Sequence, residues 1–242
     1  MGNSVRFLSS TFARVVAADW LRSAIGACLG VIASGAITAL FVDTSASLLV
    51  LVAPIGASAV LLFAVPASPL AQPWAILGGN FVSALAGVTV MQLVASPLLA
   101  AGLAVGAAIA AMSLLRCLHP PGGAVALTAV LGGEGIVELG YQFAAMPVFV
   151  NSALLAGAAM IFNRATGHSY PHRAHEQEAA AAPEPQVGLS SEDFAAVLAE
   201  YGEALDITRE DLERLYFELV TRADSGRRPL SSGGRGATGA TG

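Results

Sequence analysis

Between residues 23 and 163 the chain carries only four formally charged side chains, Asp43, Arg116, Glu134 and Glu138. A water-soluble domain of that length needs a charged surface, and none could be assembled from these. Over the whole chain 55% of residues are hydrophobic and 12% charged, against roughly a quarter charged in a soluble domain. The sequence therefore predicts an all-α, polytopic transmembrane bundle, because helices satisfy their backbone hydrogen bonds internally in lipid. Most of the net charge of −5 comes from the C-terminal tail, so it gives no reason to expect a nucleic-acid partner. Cys28 and Cys117 stand far apart in apolar surroundings and read as buried free thiols rather than a disulfide or metal site.

The desert divides into apolar runs at residues 23–42, 47–65, 75–94, 97–115 and 143–162. Runs of about 20 residues suffice to cross a hydrocarbon core of roughly 30 Å. The first reads as a retained span, not a cleaved signal, since no A-x-A-like cleavage site follows it. Residues 1–22 form an arginine-bearing lead (Arg6, Arg14, Arg22), and Arg164 and Arg173 follow the last run. By the positive-inside rule both ends are expected on the cytoplasmic side of the inner (plasma) membrane, which requires an even number of crossings. Five runs are evident, so either one fails to cross or a sixth is hidden.

The hidden candidate is Arg116-Cys117-Leu118-His119-Pro120-Pro121-Gly122-Gly123-Ala124. It contains the sole arginine and sole histidine of residues 23–163. No helix runs unbroken through two prolines, since each removes a donor and clashes with the preceding turn. If the stretch is a broken span over residues 114–133, the fourth run must end near Met112.

An internal repeat follows the same pattern. Pro54-Ile55-Gly56-Ala57-Ser58-Ala59 matches Pro121-Gly122-Gly123-Ala124-Val125-Ala126, Asn80 corresponds to Asn151, and Leu85-Ala86-Gly87 corresponds to Leu155-Ala156-Gly157. The order span, broken span, asparagine-bearing span occurs twice, over residues 23–94 and 97–163. Three crossings per repeat would invert the halves relative to each other, an arrangement common among transporters. A half-helix beginning at Pro54 or Pro121 is expected to present unpaired amides and partial positive charge. Gly56 and Gly122-Gly123 would leave that end open, and a small anion is the natural guest. Arg116 and His119 could add positive charge, and Ser58, Asn80, Asn151 and Pro120 complete the candidate pore set. Plainer roles stand beside these: helix-to-helix hydrogen bonding for the asparagines, snorkelling for Arg116, and capping or packing for His119.

His119-Pro120-Pro121-Gly122-Gly123-Ala124 resembles the signature of the HPP family of integral membrane proteins. So do the run Pro54-Ile55-Gly56-Ala57-Ser58-Ala59-Val60-Leu61-Leu62-Phe63 and the segment Ser68-Pro69-Leu70-Ala71-Gln72-Pro73-Trp74 with Gly79-Asn80. The resemblance covers about residues 20–165. It implies a transporter-like membrane protein, commonly described with four spans. Cyanobacterial and plastid members are linked to nitrite transport.

After the last run the composition changes. Residues 164–189 read as a linker and residues 190–222 as an amphipathic helix pair, with a Thr208/Asp211 capping box and an Ile207/Leu212 staple. The pair resembles the connector that precedes paired nucleotide-sensing modules in longer relatives, and it is too small to stand alone. Residues 223–242 are a Gly/Arg-rich tail expected to be disordered. No P-loop pattern occurs, and no nucleophile–base or metal-ligand spacing emerges, so neither catalysis nor a cofactor is expected. The leading expectation is a channel or secondary transporter for a small inorganic anion, nitrite first, embedded in a lipid bilayer and able to form a homo-oligomer. The alternative is a membrane-embedded sensor or assembly subunit signalling through its C-terminal helices.

Overall fold

The computed structural model describes residues 2–40, 51–172 and 212–216, with side chains described from residue 19 onward. The chain divides into two compact units at residues 173 and 174. In the second unit residues 212–216 are helical, and the rest of the predicted helix pair, the tail and residues 173–189 of the linker lie outside the described residues. So do residues 41–50, which include Asp43. The predicted linker start at 164 is corrected, since the last helix of the first unit runs to Ala165 and Tyr170 is buried against the Ala71 carbonyl.

The first unit is built of helices, with no strand among the described residues. They are α1 (Gly2–Thr38), α2 (Pro54–Ala64), α3 (Pro73–Leu93), α4 (Pro97–Leu114), α5 (Pro121–Leu131), the short α6 (Glu134–Leu139) and α7 (Val150–Ala165). Helices α2, α3, α4 and α5 each begin with proline. Proline suits that position, because its φ is already helical and its missing N–H would have no partner there. The prolines that looked like interruptions are therefore helix starts.

Four segments are long and apolar enough to cross a membrane: Asp19–Thr38, Pro73–Leu93, Pro97–Leu114 and Ala144–Ala165. The other two apolar helices, α2 and α5, have 11 residues each. At 1.5 Å per residue they reach about 16 Å, half of a hydrocarbon core. The predicted broken span is thus a non-helical link followed by a half-length helix. The expected early end of the fourth run at Met112 is corrected too: α4 continues to Leu114. The lead and the first span likewise form one helix, α1; no proline falls between them to stop it. In the last span Met146 is non-helical (φ −134°, ψ 117°) ahead of Pro147, as expected for a residue whose backbone clashes with a following proline ring.

Hydrogen bonds fix how the helices run. Arg22 meets Asn163 at one end of the α1–α7 pair, and Ser34 and Thr38 meet Asn151 at the other, so the two are antiparallel. Trp74 Nε1 donates to the Leu115 carbonyl, joining the start of α3 to the end of α4. Asn80 reaches Ser152, and Thr89 reaches Tyr141, making α3 and α7 antiparallel. Small residues let α5 lie directly on α3. A Cβ on Gly79 would fall 2.6 Å from the Cys117 carbonyl, and one on Gly87 would fall 2.7 Å from that of Ala126. Gly79 faces His119, and Gly87 faces Ala126 and Ala129, so α5 runs with α3. Helix α2 runs the other way, with Ser58 beside Asn80 and Phe63 stacked edge-on against Phe162 near the end of α7.

The C-terminus of α2 is closed by distant residues. Arg22 Nη1 donates to Asn163 Oδ1 (2.9 Å), its Nη2 donates to the Phe63 carbonyl (3.0 Å), and Asn163 Nδ2 donates to the Leu62 carbonyl (3.0 Å). These carbonyls would otherwise be orphans, and a cation at a helix C-terminus also complements the helix dipole.

Candidate functional site

The link between α4 and α5 starts as a Schellman cap. Arg116 N donates to the Ser113 carbonyl and Cys117 N donates to the Met112 carbonyl (2.9 Å). Arg116 takes the left-handed position (φ 53°) that glycine usually fills. Its side chain is exposed, while Cys117 and Met112 are buried together in one apolar cluster. Arg116 is thus a helix-ending residue at the bundle's surface, and the structure does not bring it to the polar residues described next.

Three residues on, His119 is fully buried. Its Nδ1 lies 2.9 Å from the Leu70 carbonyl, and its Nε2 lies 2.9 Å from Ser58 Oγ. A carbonyl only accepts, so Nδ1 carries the proton and Nε2 accepts from the Ser58 hydroxyl. Ser58 Oγ has a second acceptor within reach, the Pro54 carbonyl at 3.4 Å. Asn80 Nδ2 donates to Ser58 Oγ (3.5 Å) and to Ser152 Oγ (3.0 Å), and the Ser152 hydroxyl donates to the Val148 carbonyl (2.8 Å). Because Ser152 spends its proton on Val148, it must accept from Asn80, which settles the orientation of the amide. The outcome is an unbroken uncharged line from Leu70 through His119, Ser58, Asn80 and Ser152 to Val148. Ser58, Asn80, His119 and Ser152 are all fully buried. Asn80 Oδ1 and, one turn further along α3, Ser83 Oγ are buried with no hydrogen-bond partner.

This line lies where the two half-helices begin. Ser58 is in the first turns of α2, and His119 is two residues before α5, which leaves in the opposite direction. Ser83, at the middle of α3, would be 2.5 Å from a Cβ on Gly122, placing the start of α5 halfway along its longest neighbour. Pro54 and Pro121 are buried, and Pro120 is exposed.

The expected row of free amides is not there. Ile55 and Gly56 donate to the carbonyls of Val52 and Ala53, and Gly122 and Gly123 donate to those of His119 and Pro120. Ala53 and Pro120 adopt helical angles (φ −51°, ψ −37° and φ −52°, ψ −39°) despite preceding proline. Each helix thereby gains a tight turn that uses up its first donors. The glycines also differ in role. Gly56 is open, with nothing within 4 Å of a Cβ, whereas Gly122 is packed against Ser83 and Met112 Sδ, and Gly123 only grazes Val105. Asn151 does not join the line. It donates to Thr38 Oγ1 (3.2 Å), its own carbonyl accepts from Ser34, and its Oδ1 is buried without a partner.

Sequence reasoning missed Ser152, Ser83 and the Leu70 carbonyl. Ser152 adjoins Asn151, so an asparagine-led repeat pointed to the right turn and the wrong side chain. Nothing in the sequence singles out Ser83 from other serines, and a carbonyl acceptor leaves no trace in residue identity.

Fold and site together define a polytopic helical membrane protein with paired half-length helices and a buried polar line at their junction. The chain belongs to the HPP family: the family described as HPP, transmembrane region, matches residues 13–171. The chain is similar to a transmembrane protein of Dictyostelium discoideum, 38% identical over 131 residues that cover 52% of this chain and 46% of that protein. A second Dictyostelium discoideum transmembrane protein is 39% identical over 120 residues, covering 48% of this chain and 38% of that one. The similarity thus spans less than half of either relative. No solved structure matches the chain.

Proposed function

We propose that this protein is a channel or secondary transporter for a small inorganic anion, with nitrite the first candidate. The observation that carries the reading is the fully buried line His119–Ser58–Asn80–Ser152, held where two half-helices start in opposite directions inside a bundle of membrane-length helices. An ionisable side chain such as His119 in such a setting is costly and marks a functional site by default, and helices that break near mid-bilayer are the usual site architecture of transporters. Nitrite in particular rests on the resemblance to HPP proteins linked to its transport.

In this reading α1–α3 and α4–α7 are inverted halves, each with one half-helix, and both chain ends face the cytoplasm from the plasma membrane. The opposed directions of α2 and α5 support the inversion, and Arg22 and Arg164 at the same end of the bundle support the orientation. Asn80, Ser58 and His119 line the path, and Ser83 adjoins it.

The test is flux by purified full-length protein in liposomes, with nitrite, nitrate, formate and chloride compared against protein-free vesicles. Protein-dependent nitrite movement that drops in Asn80→Leu is expected. No protein-dependent movement of any of the four anions would overturn the proposal. Removal of residues 174–242 should leave flux intact; loss of flux would favour a role for the C-terminal unit instead.

A further inference from the structure

Among the described residues no cation reaches the site, and its unpartnered atoms have the wrong polarity for a bare anion. Helices α2, α3, α4 and α5 contain no charged residue. Arg22 is committed to Phe63 and Asn163, and Arg116 is exposed. Asn80 Oδ1, whose orientation is set by Ser152, is a carbonyl oxygen with both lone pairs free and no exposure. It repels an anion and binds a hydrogen-bond donor. Ser83 Oγ, one turn along the same face of α3, is equally buried and free to donate. A guest satisfying both needs an O–H and an acceptor oxygen.

His119 can provide the proton. The groups facing it are the Ser58 hydroxyl from α2, the Leu70 carbonyl, and Gly79 from α3, with Asn80 reached through Ser58. On its own stretch the nearby titratable group is the buried Cys117 thiol, with exposed Arg116 beyond it. When Nε2 gains a proton it becomes a donor, and the Ser58 hydroxyl must turn round to accept. The Pro54 carbonyl at 3.4 Å is available to take the serine's own proton. The rotation of one hydroxyl thus keeps the protonated ring hydrogen-bonded at both nitrogens, with no displacement of buried backbone.

We propose that the site carries its substrate as a neutral weak oxyacid: His119 Nε2 takes a proton from the medium and passes it to an oxygen of the arriving anion, and the acid's O–H then bonds Asn80 Oδ1 while Ser83 donates to its other oxygen. The proton lost by His119 is the one gained by the anion, so no net charge crosses the bilayer. Weak-acid anions such as nitrite and formate are therefore carried, and nitrate and chloride, which hold no proton in this range, are not. This inference rests on the transport reading and specifies its substrate class and coupling ion.

Liposomes holding the full-length protein and a trapped pH dye, with protein-free vesicles subtracted, test it. Nitrite and formate should enter with one proton each, at a rate independent of imposed membrane potential. The rate should rise about tenfold per unit of acidification outside, as the protonated fraction does. His119→Asn keeps an amide able to reach Leu70 but cannot titrate, and it should flatten that pH profile. Ser83→Ala should reduce the rate while leaving the profile's slope unchanged. Nitrite entry that follows membrane potential, or nitrate and chloride entering as fast as nitrite, would overturn the inference while leaving transport standing. Absence of flux for every anion would overturn the transport reading and this inference with it.

Discussion

Glycines in the two halves of the α3–α4 hairpin should respond in opposite ways to one added methyl group. Gly79 on α3 faces the Cys117 carbonyl at 2.6 Å and His119 Cβ at 2.7 Å from the position of a new Cβ. Ordinary contact begins near 3.4 Å, so Gly79→Ala requires most of an ångström of separation. The nearest atom is a backbone carbonyl in a link tied down by the Schellman cap and by Trp74, so it cannot swing aside as a flexible side chain would. Overpacking of this kind costs about 1–3 kcal/mol. Replacing a helical glycine by alanine returns about 0.5–1 kcal/mol, leaving a net loss of up to about 2.5 kcal/mol. Gly102 on α4 meets nothing within 4 Å, so Gly102→Ala keeps only the favourable part and should gain about 0.5–1 kcal/mol. Reversible unfolding in mixed micelles, read by tryptophan fluorescence, compares the two variants with the parent. If Gly79→Ala is as stable as Gly102→Ala, the close seating of the His119 link on α3 is wrong. The polar line described above would then lose its geometric basis.

Three further outcomes follow from particular contacts. Arg22→Met should lower stability by about 1.5–3 kcal/mol, the worth of a hydrogen bond to a charged group, because the Phe63 carbonyl and Asn163 lose their partner; the same unfolding assay checks it, and an unchanged midpoint contradicts the clamp. Tyr170, outside the spans, donates from its buried phenol to the Ala71 carbonyl (2.8 Å), and burial pushes its pKa above the ordinary value near 10. A folded-state pKa raised above the unfolded one means that this stability is complete below about pH 10 and is lost as pH rises further. The parent should therefore lose more stability than Tyr170→Phe between neutral and strongly alkaline pH, and parallel pH profiles would refute the assignment. Arg116→Asn keeps a residue that tolerates left-handed geometry, so both unfolding midpoint and nitrite flux should stay at the parent level; a collapse of flux alone would return Arg116 to the pathway.

Much of the architecture was legible because membrane insertion restricts composition so severely. Three of the four long spans coincide closely with apolar runs, and the two half-helices start at the two prolines that the internal repeat aligned. What was misread is equally physical. Apolar composition alone does not say how much of a run is helical, so residues 114–133 read as a broken span, where the structure has a non-helical link and the 11-residue α5, and α2 likewise has only 11 residues. The amides just after Pro54 and Pro121 were expected to be free because the first donors of a helix have no acceptor within it. Residues before proline usually avoid helical angles, yet Ala53 and Pro120 take them and the turns close.

The sequence by itself determined that the chain is helical, lies in a bilayer, and breaks its helices at Pro54 and Pro121. Charge scarcity and proline sterics act locally, so they can be read from residue identity. Only the tertiary structure decided what meets at the break. His119 and Ser58 are 61 positions apart, and Asn80 and Ser152 are 72 apart; their pairing depends on α2 and α5 starting side by side against the middle of α3. Arg116, which looked like the site's charge, ends a helix instead, and the buried neutral line forms without it.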